Sequence, residues 1–514
     1  MGKNIFNSVQ VEKPKKNVFD LSHDVKMSMK MGNLTPVLVT ECVPGDSFQI
    51  GCDSLIRFAP MVAPVMHRMD VSVHYFFVPN RILWENWEKF IVDANTEHVL
   101  PNIDGELLQP QYDNLNPGAA KFADYMGVPT PPNGSTITNI NALPFAAYQA
   151  IYNEYYRDEN LIAEVPYQLT DGTQANTGTF VTMRKRAWDH DYFTASLPFA
   201  QKGSAVDIPI GSIDQDVTVQ FNSLEVDSQT QRIAGLTTGN AVNQYLQIGQ
   251  SAGESTTGNP AVIAKTSELE IAPTTINDLR RAFRLQEWLE KNARGGTRYI
   301  ENILMHFGVR SSDKRLQRPE YITGLKTPVI ISEVLNTSAT AEEPQGNMAG
   351  HGVAVSTGKY GNYFCEEHGY IIGIMSVMPQ PAYQQGIPKT YLKNDPLDFF
   401  WPSFAHIGEQ PVTNNELYAY TATGNDTFGY VPRYAEYKYQ ASRVAGDFRN
   451  VLDYWHLGRI FATQPALNQA FIECTPEQVE RIFAVQDGED NLYCQIMHKI
   501  KAVRPMPKFG TPNF

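Results

Sequence analysis

Apolar and polar residues alternate most strictly at positions 71–77, where Val71, Val73, Tyr75 and Phe77 take one side and Ser72, His74 and Phe76 the other. A period of two in β-branched and aromatic residues predicts a strand. Phe76 and Val78 make the second side partly apolar as well, which predicts an interior strand. Pro79-Asn80 ends it, because proline offers no N–H to a ladder. Leu83, Trp84, Trp87 and Phe90 then recur at steps of three and four, the spacing of a short amphipathic helix.

Similar patterns punctuate the rest of the chain. Strands are predicted over residues 36–43 and 47–58, parted by the turn Pro44-Gly45-Asp46, and later over 328–334, 369–379, 428–439 and 491–503. Tyr148, Ile151, Tyr152 and Tyr155 mark a helical face within 145–156. The most complete helical signal starts at Thr275, a capping residue with Asp278 in the first turn. Its apolar stripe is Ile276, Leu279, Phe283 and Leu289, and Gly295-Gly296 closes it; a second helix is predicted over 299–307. Residues 1–35 show little periodicity and read as an extended amino-terminal arm that other surfaces must order. Residues 211–272, rich in Gly, Ser, Thr, Gln and Asn, read as a surface insertion.

Separated strands, long connections and a few helices within those connections predict a mainly β protein. The expected fold is a single eight-stranded antiparallel jelly roll spanning residues 1–514, with long loop insertions. No repeat of 20–50 residues and no βαβ alternation argue for another plan. The 514 residues would ordinarily suggest several domains, but no linker divides them.

Composition narrows the function more than the fold. A net charge of -13 argues against a generally nucleic-acid-binding surface. Five cysteines, an odd number without CxxC spacing, read as reduced buried thiols. There is no signal peptide and no run long enough to span a bilayer, so the chain is expected to stay soluble inside a cell.

Catalytic patterns are weak. Gly249-Gln250-Ser251-Ala252-Gly253 has the letters of a nucleophile elbow, but Glu254 to Pro260 cannot form the helix that must follow. Asp453 and His456, Asp189-His190-Asp191, and Glu366-Glu367-His368 each lack the second ligand pair of a metal site, and read as hydrogen-bonded or surface groups. No phosphate-cradling glycine loop is present. Neither a cofactor nor a metal is expected.

The cation clusters that stand out as phosphate contacts lie at the two ends. After Asp490 come Lys499, Lys501, Arg504 and Lys508 with no further acid, so residues 491–514 read as a basic carboxy-terminal tail. Lys13, Lys15 and Lys16 sit in the amino-terminal arm. Clustered cations are what phosphate neutralisation requires, which makes these seven the candidate single-stranded DNA contacts. Tyr434, Tyr437, Lys438, Tyr439 and Arg443 interleave aromatics with cations and form a second candidate, for base stacking.

A series of strings in order along the chain resembles the major capsid proteins of the Microviridae, nearest the gokushovirus-like branch. They include Val43-Pro44-Gly45-Asp46-Ser47-Phe48, Val73-His74-Tyr75-Phe76-Phe77-Val78-Pro79-Asn80-Arg81 and Trp84-Glu85-Asn86-Trp87-Glu88-Lys89-Phe90. Ala293-Arg294-Gly295-Gly296-Thr297-Arg298-Tyr299, Glu366-Glu367-His368-Gly369-Tyr370 and Phe428-Gly429-Tyr430-Val431-Pro432-Arg433-Tyr434 continue the series. Phe199-Ala200 departs from the Trp-Pro usual in that family.

The resemblance implies a structural protein of the virion, made in the cytoplasm of a host bacterium and assembling into a T=1 icosahedral shell around circular single-stranded DNA. Implied partners are further copies of the chain, an internal scaffolding protein, a small basic DNA-binding protein, a DNA pilot protein and a host surface receptor, with no membrane insertion. Residues 211–272 become the candidate surface protrusion. The competing expectation is a jelly-roll carbohydrate-binding protein or glycosidase, which needs an aromatic platform or paired carboxylates across a cleft.

Overall fold

The computed structural model describes residues 15–93, 97–103, 117–129, 137–175, 177–204, 206, 219–221, 262–264, 275–337, 345–358, 360–485 and 489–509. The predicted interior strand, Met69–Pro79, lies between Glu320–Pro328 and Gly369–Pro379, with Thr35–Cys42 beyond the latter. Val71, Val73, Tyr75 and Phe77 enter one core, while Phe76 and Val78 enter another. Burial on both sides explains the near-continuous apolar run: each side of this four-stranded sheet is covered.

On the first side lies a seven-stranded sheet. Leu492–Arg504 pairs with Ser47–Phe58 along one edge, and with His23–Met29 and then Asn17–Asp20 along the other. Ser47–Phe58 in turn takes Met348–Thr357 and Gly361–Phe364, and Ile330–Leu335 follows Met348–Thr357 at the margin. Phe48, Ile50, Ile56, Ile496 and Ile500 meet Val71, Val73, Tyr75 and Phe77 in a common core, so the two sheets form an antiparallel β-sandwich. The strands number seven and four where eight in one roll were expected. Two long strands account for part of the excess, since each recruits two short partners in succession along one edge.

The expected amino-terminal arm, residues 1–35, is in its described part largely strand, held by the chain's own carboxy-terminal strand. Its outward positions mix the exposed Val18 with Asp20, His23, Asp24 and Lys26, which blunts the alternation. The expected tail, residues 491–514, likewise contributes an interior strand through Arg504.

The second side of the smaller sheet is covered by Leu143–Ile151 and the π-turn Tyr152–Tyr156, close to the predicted helix. The single helix expected around Leu83 to Phe90 is instead two, Asn80–Leu83 and Trp87–Val92. Trp84 breaks them by turning extended; its indole is buried and donates to Asp171 at 2.8 Å. Ile276–Arg294 and Tyr299–Phe307 form as expected, with Thr275 Oγ1 accepting from Asp278 N at 3.2 Å. Thr427–Pro432 stops short of the expected residue 439, because Tyr434 takes a left-handed conformation (φ 59°) that starts a helical turn. A third core gathers Phe193, Tyr383, Phe428 and Phe471.

The chain divides into two compact units, Met1–Lys202 with Glu290–Phe514, and Gly203–Leu289. Of the segment 211–272, only the paired strands Val219–Phe221 and Val262–Ala264 are among the described residues. No helix among the described residues is long and apolar enough to cross a membrane.

Candidate functional site

Alternation along Leu492–Arg504 decides where the predicted DNA-contacting cations point. Ile496, His498, Ile500 and Ala502 are buried, so Lys499 and Lys501 lie together on the opposite, outward face. Acids from other strands join them there. Asp53 forms an ion pair with Lys499, and Asp20 stands opposite Lys501 in the ladder. Asp24 binds Lys26 and accepts from Gln495 Nε2 at 3.1 Å. Hydrogen bonding by Ser22 holds the Asp20 carboxyl below its usual range, and the Lys26 bond does the same for Asp24. The acid-free run in sequence therefore becomes a mixed-charge face in space.

Arg504, also a candidate DNA contact, differs from Lys499 and Lys501 in being tied into the fold. Its guanidinium lies 3.4 Å from Asp46 Oδ2, donates to the Glu41 carbonyl at 2.6 Å and covers the Phe48 ring at 5.4 Å. Asp46 has no exposure and accepts from Val43 N at 3.0 Å, so this pair locks the Pro44-Gly45-Asp46 turn onto the carboxy-terminal strand. Lys16 reaches the same turn, donating to the Gly45 carbonyl at 2.6 Å and lying 5.2 Å from the Phe364 ring centre. Lys15 is exposed, Lys508 lies over Phe509 at 5.9 Å, and Lys13 falls outside the described residues.

The stacking candidates do not share one exposed surface either. Tyr434 is buried with Phe400 at 5.0 Å, whereas Tyr437, Tyr439 and Arg443 are exposed.

A cavity of about 580 Å³ is lined by Tyr192, Tyr383, Lys389, Glu416, Glu436 and Arg443, among others, and brings two carboxylates together. Each is already committed. Glu416 accepts from Thr413 N at 3.0 Å and from the Tyr192 hydroxyl at 2.8 Å, holding a helical turn and a loop. Glu436 accepts from Gln410 at 2.7 Å and pairs with Lys393 at 3.2 Å. Burial pushes the Glu436 pKa up, but the Gln410 and Lys393 contacts outweigh it and leave the carboxyl below its ordinary value. A general acid for glycoside hydrolysis needs the opposite shift.

The other flagged groups are structural. His456 Nε2 lies 2.7 Å from the Phe448 carbonyl and its Nδ1 accepts from Gly458 N. Asp191 caps its own turn through Phe193 N and Thr194 N and accepts from the Tyr383 hydroxyl at 2.6 Å. Glu367 pairs with Arg81, and Glu366 with Lys314. Among the described residues no three His, Cys, Asp or Glu side chains are grouped to hold a metal. The string 249–253 lies outside the described residues.

The end-to-end sequence comparison decides the family. The family model for the phage capsid protein (F protein) matches residues 7–514. This chain belongs to that family. The capsid protein is similar to capsid protein VP1 of Bdellovibrio phage phiMH2K, 36% identical over 96% of this chain and 94% of that one. It is also similar to capsid protein VP1 of Chlamydia phage 1, 34% identical over 99% and 98% of the two chains, and to that of Spiroplasma virus 4, 30% over 96% and 94%. The resemblance to Microviridae major capsid proteins therefore stands, and the capsid family points to a structural, non-enzymatic role.

One surface of the capsid protein escaped the sequence reading. Leu397-Asp398-Phe399-Phe400-Trp401-Pro402 is apolar but for Asp398, has no helical or strand period, and all six residues are exposed. The absence of any period was the available signal, since an apolar run with no buried face has no element to belong to.

Proposed function

We propose that this capsid protein assembles with an internal scaffolding protein into a T=1 icosahedral shell enclosing circular single-stranded DNA, and that its sandwich is the jelly roll of that shell. The observation that carries the reading is similarity to phage capsid proteins along nearly the whole length of both chains. The architecture supports it: long irregular connections are held rigid over a sandwich, and identical neighbours can cover what they expose. A small basic DNA-binding protein and a DNA pilot protein complete the particle, and residues 211–272 meet the host receptor. The capsid protein is made in the bacterial cytoplasm and resides in the virion.

Lys499 and Lys501, with Lys13, Lys15, Lys16 and Lys508, are the residues proposed to face the genome. The acids beside Lys499 and Lys501 limit that face to a few phosphates, which leaves most of the neutralisation to the basic accessory protein.

The test is electron microscopy and mass measurement on particles from co-expression of the capsid protein with its scaffolding protein. Closed shells of one size, with one copy per icosahedral asymmetric unit, support the proposal. Monodisperse monomers under the same conditions overturn it.

A further inference from the structure

Between Lys389 and Phe404 the chain makes three short 3₁₀ turns, Lys389–Tyr391, Pro396–Asp398 and Pro402–Phe404, and no longer element. Tyr391, Leu397, Phe399, Phe400 and Trp401, together with Tyr437 from a neighbouring turn, are between 48% and 76% exposed. Phe399, Phe400 and Tyr437 are joined into a ledge, with Leu397 and Trp401 adjoining along the chain and Tyr391 two residues before Lys393. Phe400 packs 6.2 Å from Tyr437, and Lys393 lies 5.6 Å from the Phe399 ring centre and 4.0 Å from that of Tyr437.

The ledge is also stiff. Trp401 donates its backbone N–H to the Tyr434 hydroxyl at 3.2 Å and its indole N–H to the Pro396 carbonyl at 2.9 Å. Asp395 caps its turn by accepting from Leu397 N at 2.7 Å, and Arg433 reaches the Leu397 carbonyl at 3.4 Å. Exposed aromatics held in place lose little freedom on being covered.

Size and charge decide what covers them. Half-exposed aromatic side chains of this size leave on the order of 650 Å² of apolar surface on the ledge. A soluble monomer's largest patch is about 300–600 Å², whereas a stable protein contact takes about 800 Å² from each side. The composition, aromatic with arginine at the margin, is that of the centre of a protein contact. A polyanion would find little here. Lys393 is paired with Glu436 and Lys438 donates to the Arg433 carbonyl, while Asp395 and Asp398 put negative charge on the ledge itself.

We infer that the ledge centred on Phe399, Phe400 and Trp401 is a contact between copies of this capsid protein in the shell, the occupant being a second copy. The inference rests on the shell reading above and names the surface that reading requires.

The test replaces Phe399 and Phe400 with Ser in the full chain, co-expressed with its scaffolding protein, and counts shells by gradient sedimentation and electron microscopy. The expected result is at least tenfold fewer shells with the melting temperature of the free subunit unchanged. Shells at wild-type yield overturn the inference. Should the variant aggregate, hydroxyl-radical labelling of wild-type protein decides. Tyr391 and Trp401 are expected to react at least fivefold more slowly in empty and DNA-filled shells than in free subunits. Equal reactivity in shells and subunits overturns the inference alone, and protection confined to filled shells assigns the ledge to DNA and overturns it too. A wild-type chain that builds no shell overturns the shell reading and this inference together.

Discussion

The Tyr75 hydroxyl lies 3.0 Å from Nδ1 of His498, joining the two sheets of the sandwich across their common core. Nε2 of the same ring lies 2.9 Å from the Val37 carbonyl, which can only accept, so Nε2 carries the proton and Nδ1 receives the Tyr75 hydroxyl. In a protonated ring this bond would reverse, Nδ1–H donating to the Tyr75 oxygen, whose own proton would then need another acceptor.

Burial lowers the His498 pKa to about 4, and burial lowers those of His67 and His74 to about 4 as well. In the unfolded chain each ring titrates near 6.5. Between these values the unfolded state holds more protons, so stability is full above pH ~6.5 and falls as pH drops towards 4. Each ring costs ~3 kcal/mol by the bottom of that window. Urea unfolding at pH 7.0, 5.5 and 4.5 checks this, and His498→Gln is expected to make the dependence shallower. Identical slopes would refute the assignment.

Arg504 and Lys501 are close in sequence but should fail differently. Arg504→Gln strips the buried Asp46 of its cation and is expected to cost about 3 kcal/mol in denaturant unfolding. Lys501→Gln with Lys508→Gln should change stability by less than about 0.5 kcal/mol, since both groups are exposed. On the proposed genome-facing role, the same pair lowers the DNA packaged per particle. Unchanged packaging removes these two residues from that role.

All five cysteines are free and buried. Burial raises the thiol pKa of Cys42 and Cys52, and pushes Cys474 and Cys494 up to about 12. Because the thiolate is the reacting form, an aromatic disulfide reagent at pH 8 is expected to find almost no thiol in the native protein and five after denaturation. Rapid labelling of two or more in the folded state would contradict this packing.

Gly32 has a φ of 82°, and a Cβ there would sit 2.3 Å from the Cys474 carbonyl oxygen. Gly32→Ala therefore combines a strained backbone with a clash against main chain, and is expected to cost about 3 kcal/mol or more. Gly127 shares the left-handed geometry (φ 93°) with nothing within 4 Å, so Gly127→Ala should cost only about 1 kcal/mol. Thermal melts of the two variants separate clash from strain.

Several elements were legible from local pattern alone. Ser47–Phe58, Gly369–Pro379 and Tyr299–Phe307 have the predicted bounds, because each either alternates cleanly, is apolar throughout or carries a helical period between turn residues. The interior place of Met69–Pro79 was legible for the same reason: apolar residues on both sides of one strand require cover on both.

Partnership was not legible. Leu492–Arg504 pairs with strands more than 400 positions away, and nothing local in Asn17–Asp20 or His23–Met29 announces the ladder that holds them. The same closure decided the chemistry. Asp53 and Asp46 reach Lys499 and Arg504 only after the sheet forms, and it is the fold that leaves Phe399, Phe400 and Trp401 outside. The order of residues determined which stretches are strands, since side-chain period is local. Tertiary structure decided which charges meet and which apolar groups stay uncovered, since both depend on contacts between residues hundreds of positions apart.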